Sequence, residues 1–284
     1  MEAGALKRLR MAGLVACTSL AAVAMLAFAA GSAQSGAPGV ALEPDLVVQR
    51  PTELYLVERN NSTRLRVSNT VANDGAGPLE MFPGDLSDEC NFPGKADGRL
   101  AFQRIFEDAP NPDSAGYFRR SHDTESQTQV AGCMRYHPQH DHWHFDDFAH
   151  YTLIREKTGQ TVGEATKVSF CIIDTGNPFP NLPGAPDEAY YPQDPDDEDG
   201  YVTCSDTSVD GLSVGWEDTY GAGLPGQSIN ITGLPGGYFC LRLETDPSDQ
   251  LAEETETNNT RTMRLFVGLF HGRVERLHGA CKAP

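Results

Sequence analysis

The sequence predicts an all-β, sandwich-like single domain with long loops and few short helices, and three observations carry that prediction. Short β-branched or alternating runs recur along it: Asp45-Leu46-Val47-Val48, Leu54-Tyr55-Leu56-Val57, Thr63-Arg64-Leu65-Arg66-Val67, Ile229-Asn230-Ile231, Tyr238-Phe239-Cys240-Leu241-Arg242-Leu243 and Thr262-Met263-Arg264-Leu265-Phe266-Val267. Turn signals separate them, with Asn73-Asp74-Gly75 after the early runs and Pro235-Gly236-Gly237 between two late ones. No long amphipathic helix and no convincing internal repeat interrupts the pattern. Short strands at this spacing fold as a sandwich, because each strand buries one face against a second sheet.

The 284 residues are 39% hydrophobic, enough for a sizeable core, so disorder along the whole chain is excluded. Gly (28) and Pro (19) are more frequent than usual. They stay below the roughly 25–30% of low-complexity chains, which fits a loop-rich β domain. Against 22 Lys plus Arg stand 40 Asp plus Glu. That excess of acid argues against nucleic acid or an anionic membrane surface as a partner and favours cationic ones.

Residues 1–33 read as a secretory signal. Lys7, Arg8 and Arg10 precede an apolar run from Leu14 to Ala30, and small residues offer cleavage after Ala29 or Ala33. The run is at the short limit for a membrane anchor, which is the alternative. No later stretch is long and apolar enough to span a bilayer, so the expected product has no stable membrane insertion and is secreted. Residues 34–44 are a small, Pro- and Gly-containing tether, and 45–284 form the working domain. Cleavage removes three basic residues and Glu2, so the acidity belongs to the domain itself.

Cysteine usage agrees with export. Cys17 leaves with the signal, and Cys90, Cys133, Cys171, Cys204, Cys240 and Cys281 remain, an even number suited to three disulfides in an oxidising compartment. No CxxC spacing suggests a zinc knuckle or redox pair, and the counting leaves the connectivity open. Between the strand-rich blocks lies the acidic loop Asp194-Pro195-Asp196-Asp197-Glu198-Asp199-Gly200. Pro195 occupies the place where a helix–loop–helix calcium motif needs an acid, leaving an irregular Ca(2+) site or a solvated loop.

Chemistry concentrates in His137-Pro138-Gln139-His140-Asp141-His142-Trp143-His144-Phe145-Asp146-Asp147-Phe148-Ala149-His150, which holds five of the eight His. On a strand, His140, His142 and His144 share one face, the outline of a metal site. A straight strand separates residues 140 and 144 by about 13 Å, whereas two nitrogens on one ion lie about 3 Å apart. Either the segment bends near Asp141-His142, or two of these His join a third ligand, with His137 and His150 nearest. Imidazoles without thiolate suit Cu(II) or Zn(II). A His-rich surface strand is the bland alternative.

The stretch from His137 to His144, with Asp147-Phe148-Ala149-His150-Tyr151 behind it, resembles the copper-binding stretch of the lysyl oxidase family. Two further blocks match in order, Lys167-Val168-Ser169-Phe170-Cys171-Ile172-Ile173-Asp174 and Asp218-Thr219-Tyr220-Gly221-Ala222. The likeness continues through Ile229-Asn230-Ile231-Thr232 and Asp246-Pro247 to Glu254-Thr255-Glu256-Thr257-Asn258-Asn259. It departs from the animal pattern at Gln139 and Trp216, where Cys is usual, and in a stretch one residue shorter between His144 and His150, as in a divergent, microbial-type branch.

The resemblance implies that His140, His142 and His144 bind Cu(2+) and that Lys167 and Tyr220 cross-link into lysyl tyrosylquinone. It implies oxidation of primary amines, as peptidyl lysine or small amines, to aldehydes by dioxygen, with release of ammonia and hydrogen peroxide. His150, or a carboxylate of Asp146-Asp147, is the candidate base for the α-proton, with orientation of a copper-bound imidazole as the competing role. It also implies a Cys171–Cys204 disulfide, which leaves Cys90–Cys133 and Cys240–Cys281 as the expected remainder. Read in isolation, Lys167 is a solvent-facing strand residue and Tyr220 a turn residue. Two other classes fit the same residues: a His-site metalloenzyme without quinone, and a non-catalytic secreted metal-binding adhesion module.

Overall fold

The computed structural model describes residues 39–91, 98–110, 116–138, 142–165, 169–191, 204–268 and 272–282. The signal, residues 34–38 of the tether, His140, Lys167 and the acidic loop 194–200 lie outside the described residues.

Among the described residues seventeen strands pair into four sheets, every pairing antiparallel, and the helical content is one 3-10 turn at Asp88–Cys90. The largest sheet runs β12 (Asp210–Leu212), β6 (Leu79–Leu86), β7 (Gly98–Glu107), β8 (Ser126–His137), β9 (His142–Phe145), with β1 (Ala41–Leu42) added along β7. The second runs β11 (Thr161–Glu164), β10 (Ala149–Arg155), β15 (Gly237–Thr245), β16 (Thr260–Gly268), β17 (Arg273–Arg276). Two three-stranded sheets complete the fold: β13 (Glu217–Tyr220), β5 (Asn69–Asn73), β2 (Leu46–Val48); and β14 (Ser228–Asn230), β4 (Ser62–Val67), β3 (Leu54–Arg59).

Alternation sets the inside of each sheet. Ala149, Tyr151 and Leu153 of β10 are fully buried, as are Leu241 and Leu243 of β15 and Leu265 of β16. They join Met81, Leu212, Val48, Val71, Leu65 and Ile229 in one apolar core drawn from all four sheets. A smaller cluster of Leu42, Phe106, Phe118 and Val214 lies under β1. Burial of this kind is worth about 1.5–3 kcal/mol for each large side chain, the main term holding a loop-rich chain together.

The turn at Asn73 shows why its residue types are needed. The Asn73 carboxamide oxygen accepts from the Asp45 and Gly75 amides at 3.0 Å each, and its nitrogen donates to the Gly77 and Leu212 carbonyls at 2.9 and 3.1 Å. A Cβ at Gly75 would collide with the Pro44–Asp45 backbone. Gly132 plays a comparable part in β8: with φ at 112° it bulges the strand opposite Ala101, re-aiming the following residues toward the His hairpin.

Disulfides join Cys90 to Cys133, Cys171 to Cys204 and Cys240 to Cys281. The first ties the 3-10 turn to β8, and the last fastens the final described segment to β15.

Candidate active site

Strands β8 and β9 form a hairpin in which His137 stands opposite His142 and Arg135 opposite His144. Being two apart on β9, His142 and His144 share a face, and their Nε2 atoms face each other at 2.9 Å. The His137 ring stacks on that of His144, centroids 4.8 Å apart. Three imidazoles therefore gather at the hairpin end, and His144 is only 1% exposed. The hairpin supplies the convergence that a straight strand lacks, and it makes His137 the third imidazole among the described residues. On the other face, Trp143 packs against the core, with the Arg99 guanidinium 5.2 Å from its ring centroid and Tyr136 edge-on at 5.9 Å.

The segment after Lys167 is bonded to this strand. Phe145 and Phe170 exchange backbone hydrogen bonds of 2.8 and 2.9 Å, an antiparallel bridge that sets Cys171 opposite His144 and Ser169 diagonal to it on the same face. The Ser169 Oγ lies 3.3 Å from His144 Nδ1. From the other side of the disulfide, the Cys204 carbonyl accepts from the Trp143 amide at 2.8 Å. The His strand is thus bonded along its edge away from β8 by Phe170 and Cys204, two segments that the Cys171–Cys204 disulfide ties together.

Tyr220 does not sit in a turn. It ends β13, paired with Asn69, because Thr219 and Tyr220 suit a strand and Gly221 falls just beyond it. Its hydroxyl donates to the Cys171 carbonyl at 2.6 Å and accepts from the Cys171 amide at 2.9 Å, and its ring stands edge-on to Phe170 at 4.6 Å. Burial, followed by the Asp218 carboxylate, pushes the phenol well above its ordinary pKa. Asp218, two residues earlier on the same strand face, is 3% exposed. Nearby, Tyr151 and Gln227 are fully buried against each other, and burial raises the Tyr151 hydroxyl well above its ordinary range, with Asp218 adding to it. The shared burial of these polar groups was not legible in the sequence, where Tyr151 follows His150 as an ordinary strand residue; the strand alternation around Asp218 and Tyr220 was the available signal.

The candidate bases are placed differently. His150 points away from the core that Ala149 and Tyr151 enter, is partly exposed, and has its Nε2 3.9 Å from the Glu164 carboxylate. Asp146 pairs with Arg135, the residue opposite His144. Asp147, at φ 59°, accepts from the Ser248 hydroxyl.

Away from the His hairpin, donor atoms of Asp246, Glu253 and Glu256 lie within 4.8 Å of one another. Burial raises all three carboxyls, Glu253 to about 8. Asp210 of β12, next to Cys204 through a 3.1 Å bond from the Cys204 amide, is raised to about 7, also by burial.

The lysyl oxidase family profile matches residues 193–272, a span that contains Tyr220. Over 125 residues, 44% of this chain, the sequence is 34% identical to lysyl oxidase homolog 1 and to protein-lysine 6-oxidase, both from Homo sapiens, and 29% identical to lysyl oxidase homolog 4 of Mus musculus. Those matches cover 19%, 26% and 14% of the respective relatives, so the chain spans about a quarter or less of these proteins.

Proposed function

We propose that this chain, which belongs to the lysyl oxidase family, is a secreted copper-dependent amine oxidase converting primary amines to aldehydes with release of ammonia and hydrogen peroxide. The observation that carries the reading is the linkage of two groups through one tripeptide. Residues 169–171 contact the buried imidazole of His144 at one end and hold the hydroxyl of Tyr220 at the other. A metal-binding module without redox chemistry places no demand on a phenol there, whereas here a partly buried Tyr220 has its hydroxyl fixed on the Cys171 backbone.

The donor set fits copper. Two imidazole nitrogens 2.9 Å apart with no thiolate beside them are donors of the type that Cu(II) favours. His142 and His144 hold the ion in this reading, with His140 as the third ligand. Lys167, two residues ahead of Ser169, supplies the amine that joins Tyr220. When present, copper and lysyl tyrosylquinone supply the oxidising centre and the electron sink.

The chain's own residues do the rest. Phe170 packs edge-on against the Tyr220 ring, and the Cys171 backbone fixes where its oxygen sits. His150, beside Glu164, sits on the face of β10 opposite the core side where Tyr151 and Tyr220 meet, which speaks against it as the base for the α-proton. The net acidity of the chain favours amines, which arrive protonated and lose that proton before reacting. The relatives' name, protein-lysine 6-oxidase, points to peptidyl lysine as the substrate class. Export agrees with three disulfides, and no helix among the described residues is long and apolar enough to cross a membrane.

The test is mass spectrometry of copper-loaded protein together with peroxide release from a simple primary amine. A peptide joining the segments around 167 and 220, formed only after copper addition, is the expected result. Absence of that peptide in protein that binds copper and folds would overturn the reading.

A further inference from the structure

We infer that Ser169 is a positioning residue: its hydroxyl holds His144 in the tautomer that carries the proton on Nδ1 and so presents the Nε2 lone pair toward His142. The inference rests on the reading that these two imidazoles hold a metal ion, and concerns a residue outside the His cluster.

An imidazole can give a lone pair from only one nitrogen while the other bears its hydrogen, and a buried ring must find an acceptor for that hydrogen within the protein. His144 is 1% exposed, so bulk water cannot serve. Its Nε2 faces the Nε2 of His142 at 2.9 Å, which leaves Nδ1 as the nitrogen turned toward the 169–171 segment. There Ser169 Oγ lies at 3.3 Å. With the proton on Nδ1, the Ser169 oxygen accepts it, and in the metal-free protein His144 Nε2 accepts in turn from His142. With the proton on Nε2, the hydrogen would point into the position where a metal ion belongs.

The placement of Ser169 follows from backbone pairing. The Phe145–Phe170 bridge fixes the registry between β9 and the 169–171 segment, and the shared face of residues 169 and 171 directs the Ser169 side chain diagonally across to His144. A serine at this position is short enough to reach the ring, and its oxygen accepts from Nδ1–H whenever Nε2 is kept free for a metal. Alanine there would remove that hydroxyl and leave the backbone registry intact. The same tripeptide ends at Cys171, whose backbone holds the Tyr220 hydroxyl without help from the Ser169 side chain. Metal orientation and phenol seating are therefore separable by mutation.

The experiment uses the full chain, metal-free, labelled with 15N in histidine, with the His144 tautomer read from two-bond 1H–15N correlation. Affinities for Cu(II) and Zn(II) are measured by chelator competition. Wild type should show His144 protonated on Nδ1. Ser169→Ala should lose that preference and bind both metals about tenfold or more weakly, the usual effect of removing a ligand's outer hydrogen-bond partner. Ser169→Thr, which keeps the hydroxyl, should restore both properties. A wild-type His144 protonated on Nε2 overturns the inference without recourse to any variant, which covers the case of an alanine variant that does not fold. An alanine variant with unchanged tautomer, or with altered tautomer and wild-type affinity for both metals, also overturns it. If wild type binds neither metal, the oxidase reading fails, and the tautomer in the metal-free chain still decides whether Ser169 governs it.

Discussion

Replacing Tyr220 by Phe removes one oxygen, and the structure says what that oxygen holds. It donates to the Cys171 carbonyl at 2.6 Å and accepts from the Cys171 amide at 2.9 Å, and Cys171 is 6% exposed. Phenylalanine keeps the edge-on contact with Phe170 but leaves a buried N–H and C=O without these partners. Each such group costs about 1–3 kcal/mol, so the variant should lose about 2–6 kcal/mol of stability. For a domain of this size that lowers the melting temperature by roughly 4–24 °C. Denaturant unfolding of the metal-free protein, disulfides intact, measures it as a fall in midpoint at unchanged slope. Tyr55→Phe, on an exposed strand position, serves as the comparison and should stay within about 0.5 kcal/mol of wild type. An unchanged midpoint for Tyr220→Phe would refute the two-bond seat. The same protein, loaded with copper, should release no peroxide from a primary amine. Full turnover in a destabilised variant would leave the seat standing and remove Tyr220 from the chemistry.

Lys167→Arg should retain copper, fold normally and lose peroxide production; undiminished turnover would count against the cross-link. His142→Ala should lower copper retained after dialysis by about tenfold or more and abolish the 167–220 cross-linked peptide, so that peptide appearing in the variant would show that its formation does not need this ligand. Asp210 supplies a pH prediction. Burial holds its folded-state pKa near 7 against an ordinary 3.8, so its contribution is full below about pH 3.8 and is lost as pH rises through 7, by at most about 4 kcal/mol. Asp210→Asn keeps an oxygen for the Cys204 amide and the Ser208 hydroxyl, and its stability should vary less between pH 4 and 8; the same slope as wild type would exclude Asp210 as the source.

Much of the fold was legible because burial alternates. The runs at 46–48, 54–57, 63–67, 238–243 and 262–267 lie in β2, β3, β4, β15 and β16, and the Asn73 turn is a turn. The longest strands, β7 and β8, were not read. Their inward residues, such as Ala101, Ala131 and Met134, are spaced by Arg, Gln and Gly, and the Gly132 bulge breaks the two-residue period. Site composition was likewise visible as clustered His, whereas its geometry depended on a hairpin that period alone does not specify. Tyr220 read in isolation as a turn residue because Gly221 follows it; the pairing with Asn69 that extends β13 to residue 220 is a long-range contact.

The Cys171–Cys204 disulfide joins the two halves of the site more directly than sequence spacing suggests. One partner's backbone holds the Tyr220 hydroxyl, and the other's carbonyl holds Trp143 between His142 and His144. Asp210, through the Cys204 amide, extends the chain of contacts to β12. A shift of either cysteine therefore moves an imidazole strand and a phenol together. For a reaction in which metal ligands and a tyrosine ring must keep a fixed relation, that is a stronger constraint than separate anchoring of each. Reduction of this one bond should accordingly loosen both ends, seen as weaker copper binding and as exposure of Tyr220 to solvent quenchers. Copper affinity falling with Tyr220 still shielded would mean that the β5–β13 pairing, and not the disulfide, holds the phenol.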